Sequence, residues 1–218
     1  QWPLSSRWGQ VVMPLGNSGN SYLEPGRSPM SDGKPLTSVE LLRDHLLEYS
    51  VRRGDFTLKS GRKSSWFIDS KQTACRPEGI VLMADVALDL IPDEATAIGG
   101  LTVGADPVAY GVAAVAATRG RKLRSFTIRK EAKDHGIAGR LAGPLLPGDK
   151  VVITEDTVTR GVSLFESVQV VIDLGAEPIL IMPLVDRGGT CAAMAAAAGI
   201  AYHPLVTAVD LGFAYEGV

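Results

Sequence analysis

From residue 37 onward, short apolar segments alternate with longer segments in which apolar residues recur at helical spacing. The first helix is predicted to begin at Thr37, because Glu40 follows three positions later and an apolar run comes next, as in a capping box. Later helices are predicted over 77–90, 105–118, 163–174 and 190–198. Strands are predicted over 65–69, 95–98, 123–128, 150–154, 178–185 and 201–206.

The alternation of strands and helices predicts an α/β fold, with a mainly parallel sheet flanked by helices on both faces. In such sheets ligands bind beyond the carboxyl ends of the strands, so functional residues are expected there. Residues 1–36 differ from the rest because they contain five prolines and no apolar periodicity. They are predicted to form a disordered or loosely packed arm or extension, and residues 37–218 a single domain.

The composition mainly excludes certain partners and kinds of site. The 218-residue chain is 45% hydrophobic, enough for one core, and its formal net charge of −2 gives no reason to expect a nucleic-acid or membrane partner. Cys75 and Cys191 lie far apart, which argues against a disulfide framework or a zinc site and favours a reducing compartment. Because no apolar run reaches the ~18 residues of a membrane span and no signal-peptide pattern is present, a cytoplasmic location is expected.

The segment 151–163 combines an apolar strand, two adjacent carboxylates, a loop of small residues and a helix start. Backbone N–H groups of the loop and the helix N-terminus can bind a phosphate, and a glycine allows its close approach. Glu155 and Asp156 would repel a phosphate but suit the hydroxyls of a ribose. The pattern therefore predicts a sugar-phosphate site. The alternative is a structural turn whose acidic pair only caps the helix.

This segment resembles the signature of type I phosphoribosyltransferases, which binds 5-phosphoribosyl 1-diphosphate (PRPP). The signature does not identify the base, and it also occurs in regulators that have lost activity. By this resemblance, the PRPP-binding residues of the segment are Glu155, Asp156, Thr157, Val158, Thr159, Arg160, Gly161, Val162 and Ser163.

A second segment, 56–69, resembles the N-terminal motif of orotate phosphoribosyltransferases, which reads F-T-L-x-S-G followed by an aromatic pair. The resemblance implies that Lys59 lies near the orotate and pyrophosphate, and that Phe67 stacks on the pyrimidine ring. The alternative is an ordinary core strand, since Trp66, Phe67 and Ile68 would alternate in the same way.

A third segment, 129–136, carries three cations and a histidine directly after a predicted strand. Such a charge run is usually a solvated loop, but glycines follow it and it resembles the R-K-x-x-K-x-H-G loop of the same family. That loop closes over the active site, often that of the neighbouring subunit. The resemblance implies that four residues bind the leaving pyrophosphate: Arg129, Lys130, Lys133 and His135. Catalytic roles are expected for Lys133, Arg129, His135 and Asp156.

Two weaker segments complete the set. The glycine-rich turn 99–106 could hold a pyrophosphate oxygen, but Val103 stands where many relatives have lysine, so no cation is assigned there. Arg187 ends a predicted strand and matches the arginine that contacts the orotate carboxylate in the family, and Thr159 is a further expected orotate contact. Alone, Asp186 and Arg187 would form a surface ion pair.

Together the three main motifs resemble orotate phosphoribosyltransferase over most of the chain beyond the arm. This implies the type I phosphoribosyltransferase fold with a small N-terminal hood, and conversion of orotate and PRPP to orotidine 5′-phosphate and pyrophosphate in pyrimidine (UMP) biosynthesis. It also implies a homodimer with shared active sites, and a Mg²⁺ held mainly by PRPP oxygens with no direct protein ligand. The alternatives are a PRPP-binding regulatory protein of the same fold and a phosphoribosyltransferase for another base.

Overall fold

The computed structural model describes residues 30–31, 34–57, 61–131 and 139–217. The chain divides into two units, Gln1–Pro35 and Leu36–Val218. In the first unit, Met30–Ser31 (β1) pairs antiparallel with Lys34–Pro35 (β2), which the sequence pattern does not predict. That residues 37–218 form a single domain stays a prediction.

Five of the six described α-helices of the second unit lie close to predicted positions, and the sixth, the short helix Lys71–Ala74, was not predicted. Thr37 forms the capping box, because its Oγ1 accepts from the Glu40 N–H at 3.3 Å while Glu40 Oε2 accepts from the Thr37 N–H at 2.8 Å. A π-helical turn, Leu46–Ser50, extends the first helix. The α-helices are α1 (Ser38–His45), α2 (Lys71–Ala74), α3 (Pro77–Leu90), α4 (Ala105–Thr118), α5 (Val162–Asp173) and α6 (Cys191–Ala197).

Eleven strands are described in the second unit. They are β3 (Val51–Thr57), β4 (Lys63–Ile68), β5 (Ala97–Leu101), β6 (Arg124–Ile128), β7 (Leu141–Ala142), β8 (Lys150–Ile153), β9 (Thr157–Val158), β10 (Glu177–Ile181), β11 (Val185–Asp186), β12 (Ala201–Tyr202) and β13 (Val206–Thr207).

The main sheet has the order β12-β10-β8-β5-β6-β7 and is parallel except for the β6–β7 pair. Successive side chains of β8 point to opposite faces: Val152 packs with the cluster that contains α3 and α4, whereas Val151 and Ile153 pack with the cluster that contains α5 and α6. Helices therefore cover both faces, and the predicted α/β class with a mainly parallel sheet is confirmed. In the described part of the chain, no helix has the combination of length and apolar character that a membrane crossing requires.

The prediction of continuous strands over 178–185 and 201–206 is wrong, because each of these regions contains two short strands separated by a break. β10 and β12 end in the main sheet, and β11 and β13 then form a second, parallel sheet of order β13-β11-β9. Pro183 and Pro204 stand at the two interruptions, and proline has no N–H with which to continue a ladder. In both regions the chain thus leaves the main sheet at its carboxyl end and enters the second sheet.

The hairpin β3–β4 is a separate antiparallel sheet. β4 alternates strictly, with Ser64, Trp66 and Ile68 buried and the intervening residues exposed. β3 is exposed along most of its length, so it has no apolar alternation by which the sequence could have predicted it. This hairpin corresponds to the small N-terminal hood, and Trp66 anchors it by stacking on Phe213 at 4.3 Å between ring centroids.

Candidate active site

The hairpin, the loop after β8 and the turn after β11 border one pocket of about 740 Å³. The pocket lies beyond the carboxyl ends of β8 and β11, where parallel sheets bind ligands, and its volume suits a small molecule. It is lined by Phe56, Thr57, Arg62, Phe67, Thr157, Val158, Thr159, Arg160, Gly161, Val162, Ser163, Arg187 and Glu216. Four parts of the chain that lie far apart in the sequence thus meet at one site: the hairpin, the loop after β8, the turn after β11 and Glu216.

The loop from β9 into α5 forms one wall of the pocket. Gly161, the N-cap of α5, has a φ of 78°, in the left-handed region that favours glycine. An added Cβ there would also lie 2.8 Å from the Sγ of Cys191, so a larger residue does not fit. Gly161, Val162 and Ser163 line the pocket, so the first turn of α5 faces it. This turn presents N–H groups that have no intrahelical partner, together with the positive end of the helix dipole. This arrangement binds anions such as phosphate.

Glu155 and Asp156 follow β8 but have different surroundings. Glu155 is 7% exposed, and burial together with the neighbouring charge of Asp156 raises the pKa of Glu155 to about 8. Asp156 forms an ion pair with Lys71 and accepts a hydrogen bond from Ser70 Oγ at 3.1 Å. A protonated Glu155 beside a paired Asp156 allows two carboxyl groups to lie side by side. Such a pair can both donate to and accept from sugar hydroxyls.

The glycine-rich turn between β5 and α4 packs directly against this acidic pair. A Cβ added at Gly104 would lie 1.7 Å from Glu155 Oε1 and 2.6 Å from Asp156 Oδ1, so only glycine permits this approach. The Thr102–Val103 peptide bond is cis, and the Val103 side chain is exposed. The turn therefore belongs to the neighbourhood of the site, and its apolar Val103 offers no charge to it.

Phe67 and Trp66 separate on the two faces of β4. Phe67 is 42% exposed, lines the pocket and packs against Phe56 with 5.7 Å between ring centroids. Trp66 and Ile68 are buried, so for these two residues the alternative of an ordinary core strand describes the structure. Phe67 offers an aromatic face to a planar ligand.

Arg187 is buried, and its guanidinium lies 4.6 Å from the ring centroid of Trp66. Its Nη2 donates to the Trp66 carbonyl at 3.0 Å and to Ser64 Oγ at 3.1 Å. Its Nε and Nη2 also donate to Glu216 Oε2, at 3.1 and 2.6 Å.

Asp186 has partners of its own: it accepts from the N–H groups of Gly188 and Gly189, at 2.9 and 2.8 Å, and from the Tyr202 hydroxyl at 2.8 Å. Asp186 and Arg187 are both buried, and neither forms the surface ion pair considered for the isolated dipeptide. Asp186 instead orders the turn that carries Arg187.

The remaining predicted site residues do not line the pocket among the described residues. Arg129 is half-buried at the end of β6, where its carbonyl accepts from Arg140 Nε at 2.7 Å, and Lys130 is exposed. Three predicted site residues lie outside the described part of the chain: Lys59, Lys133 and His135.

Six residues at the site were not predicted as site residues. Ser70 and Lys71 follow β4 and contact Asp156, while the other four line the pocket: Phe56, Thr57, Arg62 and Glu216. The position of Ser70 and Lys71 just after a predicted strand is a signal that could have identified them. Glu216 lies in no predicted element and carries no such signal.

The raised pKa of Glu155 predicts a pH-dependent stability. In the unfolded chain this carboxyl loses its proton near its ordinary pKa of 4.5, but in the folded protein it holds the proton to about 8. The stabilisation is therefore complete below the unfolded pKa and is lost as the pH rises toward 8. Glu155→Gln should remove this loss of stability. The urea midpoint of unfolding of the variant minus that of the parent should therefore be larger at about pH 8.5 than at about pH 5.

The matched control is Glu94→Gln, which removes an exposed carboxylate in the loop before β5, at the amino-terminal ends of the strands and so at the opposite end of the sheet from the site. Its midpoint should follow that of the parent at both pH values. A Glu155→Gln variant that also followed the parent would mean that Glu155 ionises normally in the folded protein.

The chain is similar to known proteins along most of its length. No family model matches it. It is 37% identical over 192 residues to an orotate phosphoribosyltransferase of Nostoc sp., an alignment that covers 85% of this chain and 93% of that protein. The crystal structure of Mycobacterium tuberculosis orotate phosphoribosyltransferase in complex with Fe(III) dicitrate is similar with a TM-score of 0.73 and 32% identity, over 81% of this chain and 100% of that one. The same enzyme in complex with PRPP gives a TM-score of 0.69 and 29% identity, with 81% and 100% covered.

Proposed function

The chain belongs to the orotate phosphoribosyltransferase family, and we propose that it converts orotate and PRPP to orotidine 5′-phosphate and pyrophosphate in pyrimidine (UMP) biosynthesis. The observation that carries this proposal is the single pocket that combines an anion-binding helix start, an aromatic face at Phe67 and the buried cation Arg187. A sugar phosphate and a planar, carboxylated base are the ligands that this combination fits. The fold is the type I phosphoribosyltransferase fold.

We propose that PRPP binds along the loop after β8. Its 5-phosphate lies at residues 159–163, where the N–H groups of the first turn of α5, together with the hydroxyls of Thr159 and Ser163, can donate to its oxygens. Glu155 and Asp156 then face the ribose hydroxyls, because carboxyl groups bind neutral hydroxyls but repel phosphate. Thr157, Val158 and Arg160 complete the wall.

The base occupies the opposite side of the pocket in this proposal. The orotate ring stacks on Phe67, and its carboxylate is bound by Arg187, whose fork of N–H donors matches a carboxylate. We propose that Thr159, which lines the same pocket, contacts both substrates. We keep Lys59 as a further orotate contact from its motif alone.

The reaction requires placement and charge stabilisation rather than a protein nucleophile. The bond from ribose C1 to the pyrophosphate oxygen breaks, with its electron pair leaving on that oxygen. A bond from C1 to a ring nitrogen of orotate forms, the proton of that nitrogen is released, and the transition state has oxocarbenium character. Negative charge builds up on the leaving pyrophosphate, so nearby cations lower the barrier. We assign this role to Arg129, Lys130, Lys133 and His135, carried by a loop that closes over the site and limits the access of water.

The residues around the acidic pair fit a Mg²⁺ ion that is bound together with PRPP. Glu155, Asp156, Ser70 and Thr157 offer oxygen donors, which Mg²⁺ prefers. Among residues 30–31, 34–57, 61–131 and 139–217, no group of three or more His, Cys, Asp or Glu side chains could hold a metal ion. In our proposal PRPP oxygens supply most ligands, with Glu155 and Asp156 assisting through water. When bound, the ion would neutralise charge on the pyrophosphate.

We also propose a cytoplasmic location, supported by two free cysteines, the exposed Cys75 and the buried Cys191.

The function is tested by PRPP-dependent formation of orotidine 5′-phosphate from orotate. Hypoxanthine replaces orotate in the control, since a phosphoribosyltransferase for another base would use it or a related base instead.

We propose a homodimer in which the loop of one subunit reaches the active site of the other. Chains with Lys133→Ala and chains with Asp156→Ala should each be inactive alone. After subunit exchange, half of the dimers are hybrids and each hybrid has one site with both groups, so activity should return to about a quarter of the parental value. Each variant taken through the same exchange by itself is the control. If verified hybrids remain inactive, the shared site is wrong.

A further inference from the structure

The N–H fork of Arg187 already holds a carboxylate from the protein itself. Nε and Nη2, the edge of the guanidinium that best matches a carboxylate, both donate to Glu216 Oε2, at 3.1 and 2.6 Å. Nη2 donates in addition to the Trp66 carbonyl and to Ser64 Oγ. Both Arg187 and Glu216 line the pocket. The group assigned to the orotate carboxylate is therefore paired with a carboxylate of the protein.

The segment around Glu216 rests on the turn that carries Arg187. The Glu216 N–H donates to the Arg187 carbonyl, and the Gly217 N–H donates to the Gly188 carbonyl, both at 3.0 Å. Ser64 Oγ donates to Glu216 Oε1 at 2.6 Å, so the second carboxylate oxygen also has a partner. Arg62 Nη2 donates to the Glu216 carbonyl at 3.0 Å. Two backbone hydrogen bonds, one ion pair and the side chains of Ser64 and Arg62 thus hold this segment, a small set of contacts compared with a core element.

We propose that Glu216 is an internal competitor for the orotate carboxylate: its side chain occupies the carboxylate-binding position on Arg187 and has to leave before orotate binds there. This inference rests on the proposed function, because it assumes that Arg187 binds the carboxylate of the base. It adds a residue that sets the affinity for orotate and a movement that accompanies binding.

Because orotate replaces one carboxylate by another, Arg187 keeps a negatively charged partner throughout. Arg187 is only 6% exposed, and a buried cation without a partner would destabilise the free protein. Glu216 supplies that partner when no base is bound, and orotate supplies it afterwards. The Glu216 side chain is more exposed than that of Arg187, 17% against 8%, so it can become hydrated once displaced. A neutral pyrimidine cannot replace the ion pair, so Glu216 stays in place beside it.

The test compares Glu216→Gln with the parent at saturating PRPP and Mg²⁺. The amide keeps the size of the side chain but removes the charge that competes with orotate. The Michaelis constant for orotate should fall about three- to tenfold, the range expected for losing a partly buried charge pair. The Michaelis constant for PRPP, measured with PRPP varied at saturating orotate, and the inhibition constant of uracil should stay within about twofold. Glu94→Gln, which removes an exposed carboxylate away from the site, should change none of these values.

An orotate constant that rises or stays the same in Glu216→Gln would overturn the proposal, since Glu216 would then orient Arg187 or have no role. A parent protein that does not use orotate at all would instead overturn the proposed function, so the two failures are distinguishable.

Discussion

Arg187→Ala is expected to raise the Michaelis constant for orotate by one to two decades and to leave that for PRPP nearly unchanged. Orotate differs from uracil by a carboxylate, and Arg187 is the buried, pocket-lining cation to which we assign that group. Loss of a charge-assisted pair costs about 1.5–3 kcal/mol, which corresponds to this change in affinity. Steady-state kinetics with each substrate varied in turn provide the measurement.

The contacts of Arg187 add a second expectation. Its Nη2 donates to the buried Trp66 carbonyl, so alanine also removes a partner from the hairpin, and the melting temperature should fall. Arg187→Lys keeps the charge but loses the fork, and should restore orotate binding only in part. If Arg187→Ala raised only the constant for PRPP, Arg187 would belong to the phosphate side, and the placement of the base at Phe67 would be wrong.

Lys133→Ala is expected to reduce kcat by about 10²–10³-fold with little effect on the binding of orotate, because removal of one charge-stabilising donor at comparable sites has this effect. Lys133 lies outside the described residues, so the expectation rests on the match of its segment to the mobile loop of the family. Lys122→Ala is the matched control, since Lys122 is exposed in the loop before β6, at the amino-terminal edge of the sheet. Turnover of Lys133→Ala within about threefold of the parent would exclude a role in charge stabilisation.

The helices other than the four-residue α2 could be predicted from the sequence, because local pattern decides them. α3 and α4 have the predicted bounds, and the capping box at Thr37 marks the start of α1. The second sheet could not be predicted, because apolar residues continue across Pro183 and Pro204, where the chain changes sheets. The exposed strand β3 also gave no signal, since its pairing with β4 is a backbone property.

The site could be predicted where it is continuous in sequence. Residues 157–163 line the pocket as one loop, and their order alone indicates a phosphate site. The partners that complete the site come from far away: Lys71 lies 85 residues from Asp156, and Glu216 lies 29 residues from Arg187. Such pairings depend on how the folded elements meet, and no local pattern indicates that Arg187 has an internal carboxylate as its partner.

The most direct test of the proposed function is the loss of orotate absorbance when the full chain is mixed with orotate, PRPP and Mg²⁺. Uracil and hypoxanthine serve as alternative bases, and omission of PRPP serves as the blank. Consumption of orotate that requires PRPP and yields orotidine 5′-phosphate, with neither alternative base consumed, is the result that we predict. Stable orotate absorbance with a folded protein that binds PRPP would contradict it and would favour a PRPP-binding regulatory protein.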